Sequence, residues 1–330
     1  MKELAVIILN WNGRNLLEQF IPTAVKYTIS PRADLFVADN GSADDSIEWL
    51  ETHFPEVKLI KFSQNHGFAK GYNLAIEQTH YPYTILLNSD VEVTEGWYEP
   101  MLDYISTHPN VGALQPKIRA YNNRKKFEYA GAAGGYLDKM GYPYCRGRLF
   151  DSIETDNGQY DDSIADICWA SGAALMVNTD LYLKVGGLDS DFFAHMEEID
   201  LCCRIHAAGY RVVTVPQSHV FHVGGASLSQ GNPKKTYLNF RNNLLLLHKN
   251  MPIKEGKRKL FIRRLYDTLA WIMFILKFDL KNANAILKAH KDFRKMKKNY
   301  TAHPETNFLK KLPGANRNII IDYYLKRKKK

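Results

Sequence analysis

Three places in this 330-residue sequence combine residue types that could do chemistry. Asp90 closes the hydrophobic run Leu86-Leu87-Asn88-Ser89-Asp90-Val91. A carboxylate at the end of a buried strand can coordinate a hard divalent cation that also holds two phosphates, although for Asp90 alone an ordinary turn aspartate is the plainer reading. Further on, Glu197, Glu198 and Asp200 place three carboxylates within four positions, flanked by Phe192, Phe193 and Leu201. Acids at a solvated helix start meet the helix dipole favourably. Flanked by apolar residues, clustered acids instead raise one another's pKa, as a general base near neutrality requires. The third feature is a series of polar residues that each follow a short apolar run: Asn10-Trp11-Asn12, Asp39-Asn40-Gly41-Ser42, Asn65-His66-Gly67-Phe68-Ala69 and Asn88-Ser89-Asp90. Each by itself is turn chemistry; four in succession read as one polar, ligand-binding rim.

The elements that must position these residues are legible in the pattern. Residues 4–9, 35–38, 57–62 and 84–87 are rich in Val, Ile, Leu and Phe and read as buried strands. Stretches of helical length lie between them, among them 46–53, which follows a Ser/Asp cluster able to cap it. Strand–helix alternation implies an α/β fold with a mainly parallel sheet flanked by helices, and such sheets bind ligands at the carboxyl ends of their strands. No GxGxxG or GxxxxGK[ST] follows any strand, which weighs against a dinucleotide or ATP phosphate cradle. Between 121 and 162 the periodicity dissolves, as in a long ordered excursion. It returns at 168–177, in a helix over 196–208 closed by Gly209, and in a strand over 211–215.

The composition is 45% hydrophobic and 24% charged, which excludes wholesale disorder, and four cysteines without a CxxC pair exclude a disulfide-stapled fold and argue against a structural zinc site. The net charge of +9 is uneven. Residues 251–330 carry 22 Lys+Arg against 6 Asp+Glu, whereas the first 250 carry 22 against 29. An acidic body with a basic extension implies an anionic partner for the extension. Its lysines alternate with apolar residues at helical spacing. Leu265, Leu269, Ile272, Leu276 and Leu280 form one stripe; Ile286, Ala289, Phe293 and Met296 form another, with Lys288, Lys291, Lys295 and Lys298 opposite. This suits helices at an anionic bilayer surface, the alternative being ordinary packing onto the body. The longest uncharged apolar stretch, 268–276, is too short to span a bilayer, and the run 4–9 is too short for a secretion signal. The expected location is cytoplasmic, peripheral on the inner face of the cytoplasmic membrane.

Taken in order, Asn10-Trp11-Asn12-Gly13, Asp39-Asn40-Gly41-Ser42, Asn65…Gly67-Phe68-Ala69…Gly71…Asn73, Leu87-Asn88-Ser89-Asp90, Gly186-Gly187-Leu188-Asp189, Glu197-Glu198-Ile199-Asp200-Leu201…Arg204 and His222…Gly224-Gly225…Ser227 resemble the family 2 glycosyltransferases of the GT-A fold. The nearest branch is the rhamnosyltransferase-like enzymes of bacterial surface polysaccharide synthesis, and the resemblance covers roughly residues 1–250. It implies a catalytic domain over 1–250 with a basic helical extension over 251–330. The implied activity is inverting, metal-dependent, non-processive sugar transfer from a UDP- or dTDP-sugar to a hydroxyl of a glycan or lipid-linked acceptor.

By the same resemblance, Asp39 accepts the N3–H of a uracil or thymine ring. Asn10 and Asn12 lie beside that nucleotide, and Asn65, Gly67 and Asn73 line the donor pocket. Asp90 is the surviving acid of the family's DxD element, its first acid being Asn88 here. His222 is a second ligand to Mn²⁺ or Mg²⁺. Glu197 and Glu198 stand where the family has Glu-Asp, so that either could be the base, and Asp200 binds or orients the acceptor. Arg241 could contact the pyrophosphate or be a surface helix arginine. The competing readings are a nucleotidyltransferase, which should carry a basic glycine-rich loop near its start, and a nucleic-acid-binding protein using the basic extension. No nucleic-acid-binding module is recognisable, and nucleic acid is not expected as a partner.

Overall fold

The computed structural model describes residues 2–224 and 231–328. Its first half alternates as the apolar runs predict: β1 (Leu4–Asn10), α1 (Arg14–Thr28), β2 (Ala33–Asp39), α2 (Ser46–His53), β3 (Lys58–Lys61), α3 (Phe68–Thr79), β4 (Tyr83–Leu87), β5 (Val91–Val93), α4 (Glu99–Thr107) and β6 (Val111–Ala120). The stretch without periodicity contains short strands, β7 (Asn123–Phe127), β8 (Gly135–Leu137), β9 (Pro143–Cys145), β10 (Arg148–Leu149) and β11 (Ser152–Ile153). There follow β12 (Ala165–Asp166), β13 (Ala174–Asn178), α5 (Thr179–Lys184), α6 (Glu197–Ala207) and β14 (Arg211–His222). Three long helices follow, α7 (Pro233–Asn250), α8 (Ile253–Leu276) and α9 (Leu280–Met296), and the remaining described residues contain only short helical turns.

The main sheet runs β12-β14-β6-β13-β4-β1-β2-β3, with β5 added to β14 and β7 to β6; β8–β11 form a second, four-stranded sheet. The long pairings of β1 with β2 and β4, of β2 with β3 and of β6 with β14 are parallel, and β13 runs antiparallel between β4 and β6. Strand β1 is apolar until its last residue because both of its faces are covered. Leu17, Ile21 and Leu50 lie in the core on one side, Tyr72, Ala75 and Ile76 in the core on the other. All four cysteines are buried free thiols.

Register carries polar residues to one edge. Asn10 is level with Asp39, Asp39 with Lys61, and Ile8 with Leu87, which sets residues 88–90 just beyond the same edge. Strand β13 begins opposite Leu87, and its approach segment meets the Asn88 N–H through the Ala173 carbonyl at 3.0 Å. Strand β5 pairs with the end of β14, Val91 opposite His222, so that Asp90 and His222, 132 positions apart, become neighbours.

The two C-terminal helices face opposite ways. Helix α9 turns Ala283, Ile286, Ala289 and Phe293 inward and its lysines outward. It lies on α7, where the Thr236 hydroxyl donates to Asn282 Oδ1 and the Tyr237 hydroxyl to Asp292 Oδ2. Helix α8 is inverted. Its buried residues are Gly256, Arg263 and Asp267, while Leu269 is 62% and Leu276 74% exposed, and Phe261, Leu265 and Ile272 are exposed with them; Leu280, read with this stripe from the sequence, instead begins α9. Packing onto the body therefore accounts for the α9 stripe and leaves the α8 stripe open. Among the described residues, no helix is long and apolar enough to cross a membrane.

Candidate active site

Asp90 and His222 form the core of the site. Asp90 Oδ1 and His222 Nε2 are 3.1 Å apart, both residues are buried, and the Val223 N–H donates to the Asp90 carbonyl. Burial opposes the Asp90 charge, yet the His222 ring holds this carboxyl below its ordinary pKa. Burial likewise opposes a charged His222, and the Asp90 and Glu128 carboxylates outweigh it, raising the pKa to about 10. The 3.1 Å contact is a hydrogen bond from the charged ring to the carboxylate; with that ring proton displaced, two donors at this separation match adjacent positions around one six-coordinate cation at about 2.1 Å. The acid-plus-imidazole edge therefore fits a divalent ion, imidazole favouring Mn²⁺ over Mg²⁺. Among the described residues, no three His, Cys, Asp or Glu side chains form a metal-holding group. The described residues thus offer two donors at this edge, Asp90 and His222.

The acid pair begins α6, after a turn in which Phe193, His195 and Met196 all have positive φ. Non-glycine residues adopt that conformation only where their surroundings impose it. Here Asn242 Nδ2 donates to the carbonyls of Phe192, Ala194 and His195, and Arg241 Nη2 to those of Asp191 and Phe192. Glu197 is 5% exposed and Glu198 half-buried, and one oxygen of each carboxylate is buried without a partner. Burial raises the Glu198 pKa to about 7; burial and the neighbouring Glu198 charge push Glu197 well above its usual range. Glu198 is the more accessible of the two.

The segment Ser171-Gly172-Ala173 connects this pair to the Asp90 edge. A side chain at Gly172 would place its Cβ 3.7 Å from Glu198 Cβ, while Ala173 receives the Asn88 N–H. Ser171 donates through its hydroxyl to the Ala130 carbonyl and through its N–H to Gln115 Oε1. The same short segment therefore touches the base candidate, the residues leading into Asp90, and the turn that follows Glu128.

On the opposite side of the rim, Asp39 is buried and accepts from Asn10 Nδ2 at 3.1 Å and from the Ser42 N–H at 3.1 Å. A carboxylate has about four lone-pair sites, so acceptor capacity remains for a further N–H. Asn10 also donates to the Ser42 and Ser46 hydroxyls, which makes it a support for Asp39. Asn12, at φ 49°, accepts the Ala43 N–H and borders a recess of about 440 Å³ together with Arg14, Asp44 and Asp45. Asn65 Oδ1 accepts from Asn40 and from the Gly67 N–H, and Gly67, at φ 75°, starts α3. Asn88 is half-buried beside Asp90.

Three of the sequence expectations are corrected. Asn73 does not face the rim: its side chain accepts from the Tyr182 hydroxyl and the Leu188 N–H and donates to the Leu188 carbonyl, tying α3 to the 186–189 turn. Asp200 is fully buried and bonded to Arg204, Lys249 and Asn250, which leaves it no role in holding an acceptor. Arg241 is neither a surface residue nor open to a pyrophosphate, its guanidinium being taken up by Asn242 and the two turn carbonyls. The residue that sequence reasoning missed is Glu128, buried beside His222 within the excursion, where no periodicity marks it. Gly225 and Ser227 of the His222 motif lie outside the described residues.

The family model described as Glycosyl transferase family 2 matches residues 5–168. The N-acetylglucosaminyl-diphospho-decaprenol L-rhamnosyltransferase of Mycobacterium tuberculosis is 27% identical over 235 residues, covering 66% of this chain and 75% of that enzyme. Among solved structures, GalNAc-T7 with UDP, GalNAc and Mn²⁺ superposes with a TM-score of 0.57 at 16% identity, covering 73% of this chain and 47% of that one. TarS 1–349 of S. aureus, in complex with UDP-GlcNAc, gives 0.55 at 15% identity, covering 88% and 80%.

Proposed function

The chain belongs to glycosyl transferase family 2, in its rhamnosyltransferase-like branch with the GT-A fold, and from that premise we propose how this glycosyltransferase acts and on what. The reading is inverting, metal-dependent, non-processive transfer of one sugar from a UDP- or dTDP-sugar to a hydroxyl of a glycan or lipid-linked acceptor, in cell-surface polysaccharide synthesis. The observation that carries it is the pairing, across residues 171–173, of a carboxylate lifted to a pKa of about 7 with the buried Asp90–His222 edge.

Glu198 is the base. With Glu197 held protonated by burial, a single negative charge falls on the more accessible partner, which takes the acceptor proton as the hydroxyl attacks. Asp39, steadied by Asn10 and Ser42, accepts the pyrimidine N3–H, which selects uracil or thymine over cytosine. Asn12, Asn65, Gly67 and Asn88 complete the donor side. Asp90 and His222 hold the divalent ion, which when bound neutralises charge on the departing diphosphate. The support for a metal is the donor pair itself, together with the Mn²⁺ named for GalNAc-T7.

The catalytic unit is taken as 1–250 and the extension as 251–330. An anionic membrane surface is the extension's partner, on the inner face of the cytoplasmic membrane. The open apolar stripe on α8 would enter the interface, and the excess of basic residues in the extension complements anionic headgroups while opposing self-association of like-charged copies. The test is transfer to an acceptor from a panel of UDP- and dTDP-sugars, with the product's anomeric configuration read by NMR. Inversion is expected, as is loss of transfer in EDTA with recovery on adding Mn²⁺. A product with retained configuration would remove Glu198 from the role of base, and full activity in EDTA would remove the metal.

A further inference from the structure

The His222 ring stands between two carboxylates brought from different parts of the chain: Asp90 lies 3.1 Å from Nε2 and Glu128 3.7 Å from Nδ1. Glu128 follows β7, is 6% exposed, and is placed by the sheet, its N–H donating to the Ile118 carbonyl on β6. Its Oε2 accepts the Ala130 N–H at 2.5 Å, and the Ala130 carbonyl is in turn held by the Ser171 hydroxyl at 2.6 Å. The chain also makes room for this carboxylate. A Cβ at Gly224 would lie 2.6 Å from Glu128 Oε1, and Gly224 has φ +68°, so a side chain there would be strained and would displace this carboxylate.

The two ring nitrogens point in different directions, and Asp90 and Glu128 cannot meet one cation through the same face of His222. That agrees with the absence of a three-residue metal group among the described residues. A ligating histidine is commonly aimed by a carboxylate on its other nitrogen, which fixes the tautomer and strengthens the donor. We propose that Glu128 is the positioning residue of the cation edge: it faces Nδ1 of His222 and aims the ring so that Nε2, its proton displaced by the incoming ion, meets a divalent cation alongside Asp90 Oδ1. This rests on the reading of Asp90 and His222 as the ion's protein ligands. The 3.7 Å separation is that of an ion pair, so the effect is electrostatic and requires only a small approach to become a hydrogen bond. Lys235, at the start of α7, and the buried Arg148 also feel the Glu128 charge.

The experiment is Mn²⁺ binding followed by EPR, with UDP and separately with dTDP present and no turnover required, on the full chain with thermal melting of every variant. Asp90→Asn and His222→Ala are expected to weaken Mn²⁺ binding. Glu128→Ala should weaken it by roughly 10- to 100-fold, the usual effect of losing such a partner. Glu128→Gln, whose carbonyl can still accept from Nδ1–H, should recover part of that loss. In the His222→Ala background, Glu128→Ala should add nothing. An additive loss in the double variant would make Glu128 a ligand in its own right and overturn the proposal. Unchanged Mn²⁺ affinity with a lower melting temperature would do so as well, leaving Glu128 a residue of the fold only. If Asp90→Asn and His222→Ala both leave Mn²⁺ binding intact, the ligand assignment beneath the proposal falls with it, a result distinct from the failure of Glu128 alone.

Discussion

The start of α6 and the junction of α8 with α9 both bury charge, and they treat it in opposite ways. At the junction the charges are matched: Arg263 is paired with Asp267, Asp267 meets His290 at 3.0 Å, and the Arg263 guanidinium also reaches Asn243 and lies over the Tyr142 ring at 3.7 Å. At the start of α6, Glu197 and Glu198 have no ion-pair partner among the described residues, and each keeps an unpartnered buried oxygen. Matched burial fastens the extension to the body. Unmatched burial lifts a carboxyl toward neutrality, which costs stability and is retained where a proton must be moved. The matched cluster has a second consequence: with its inner side committed to Arg263 and Asp267, α8 is left with its apolar side facing outward.

The largest effect is expected from breaking the matched cluster. Arg263→Ala should destabilise by about 3–5 kcal/mol in urea unfolding, because Asp267 loses its buried counter-charge; a change below 1 kcal/mol would mean the cluster is not what holds α8. Ile286→Ala on α9, whose apolar side packs inward, should cost about 2–5 kcal/mol by the same measurement. At the unmatched site, Glu198→Gln should lower kcat at least ~10²-fold, about 2.7 kcal/mol of barrier, with donor affinity little changed. Wild-type turnover would reduce the acid pair to a solvated helix start. In the wild type kcat should climb as pH rises through about 7, the range in which Glu198 loses its proton.

Glu197→Gln sharpens the contrast through stability. A carboxyl whose folded pKa is raised favours the folded state at low pH, and that advantage is lost as pH rises above the unfolded value of about 4.3 toward the folded one. The variant should therefore gain stability relative to wild type as pH rises, and equal melting curves at pH 5 and pH 8 would contradict the raised pKa. The smallest change in stability is expected on the outer side of α8. Leu269→Ser should alter it by no more than about 0.5 kcal/mol, while weakening sedimentation with vesicles containing anionic phospholipid; unchanged vesicle binding would mean that this stripe is not the membrane surface.

Much of the fold was readable along the chain. The buried runs of β1, β2 and β4 are apolar on both faces, and 46–53 is helical as its pattern predicts. The polar residues after the strands do line one sheet edge, since strand ends and turn residues are local features. What could not be read is which partner each polar group takes. Asn73, Asp200 and Arg241 sit in motifs that invite a ligand, yet each is satisfied by the protein itself. Glu128 carries no local mark at all and becomes significant only because the β6–β7 pairing sets it beside the end of β14.

The extension divides in the same way. Its sequence fixed two amphipathic helices, because 3.6-residue periodicity is a property of the local chain. Whether a stripe faces the protein or the solvent depends on what the rest of the fold offers it. Leu269 and Ile286 satisfy the same spacing rule, and one is exposed while the other is buried. By itself, then, the sequence determined strands β1 to β4, the helices at 46–53 and 196–208, the polar strand ends and the charge of each segment, all of which follow from neighbours a few residues apart. Tertiary structure alone decided that residue 90 meets residue 222, that Glu128 stands behind His222, and that α8 turns its apolar side outward. Those outcomes depend on strand register and on competition for buried partners among residues far apart along the chain.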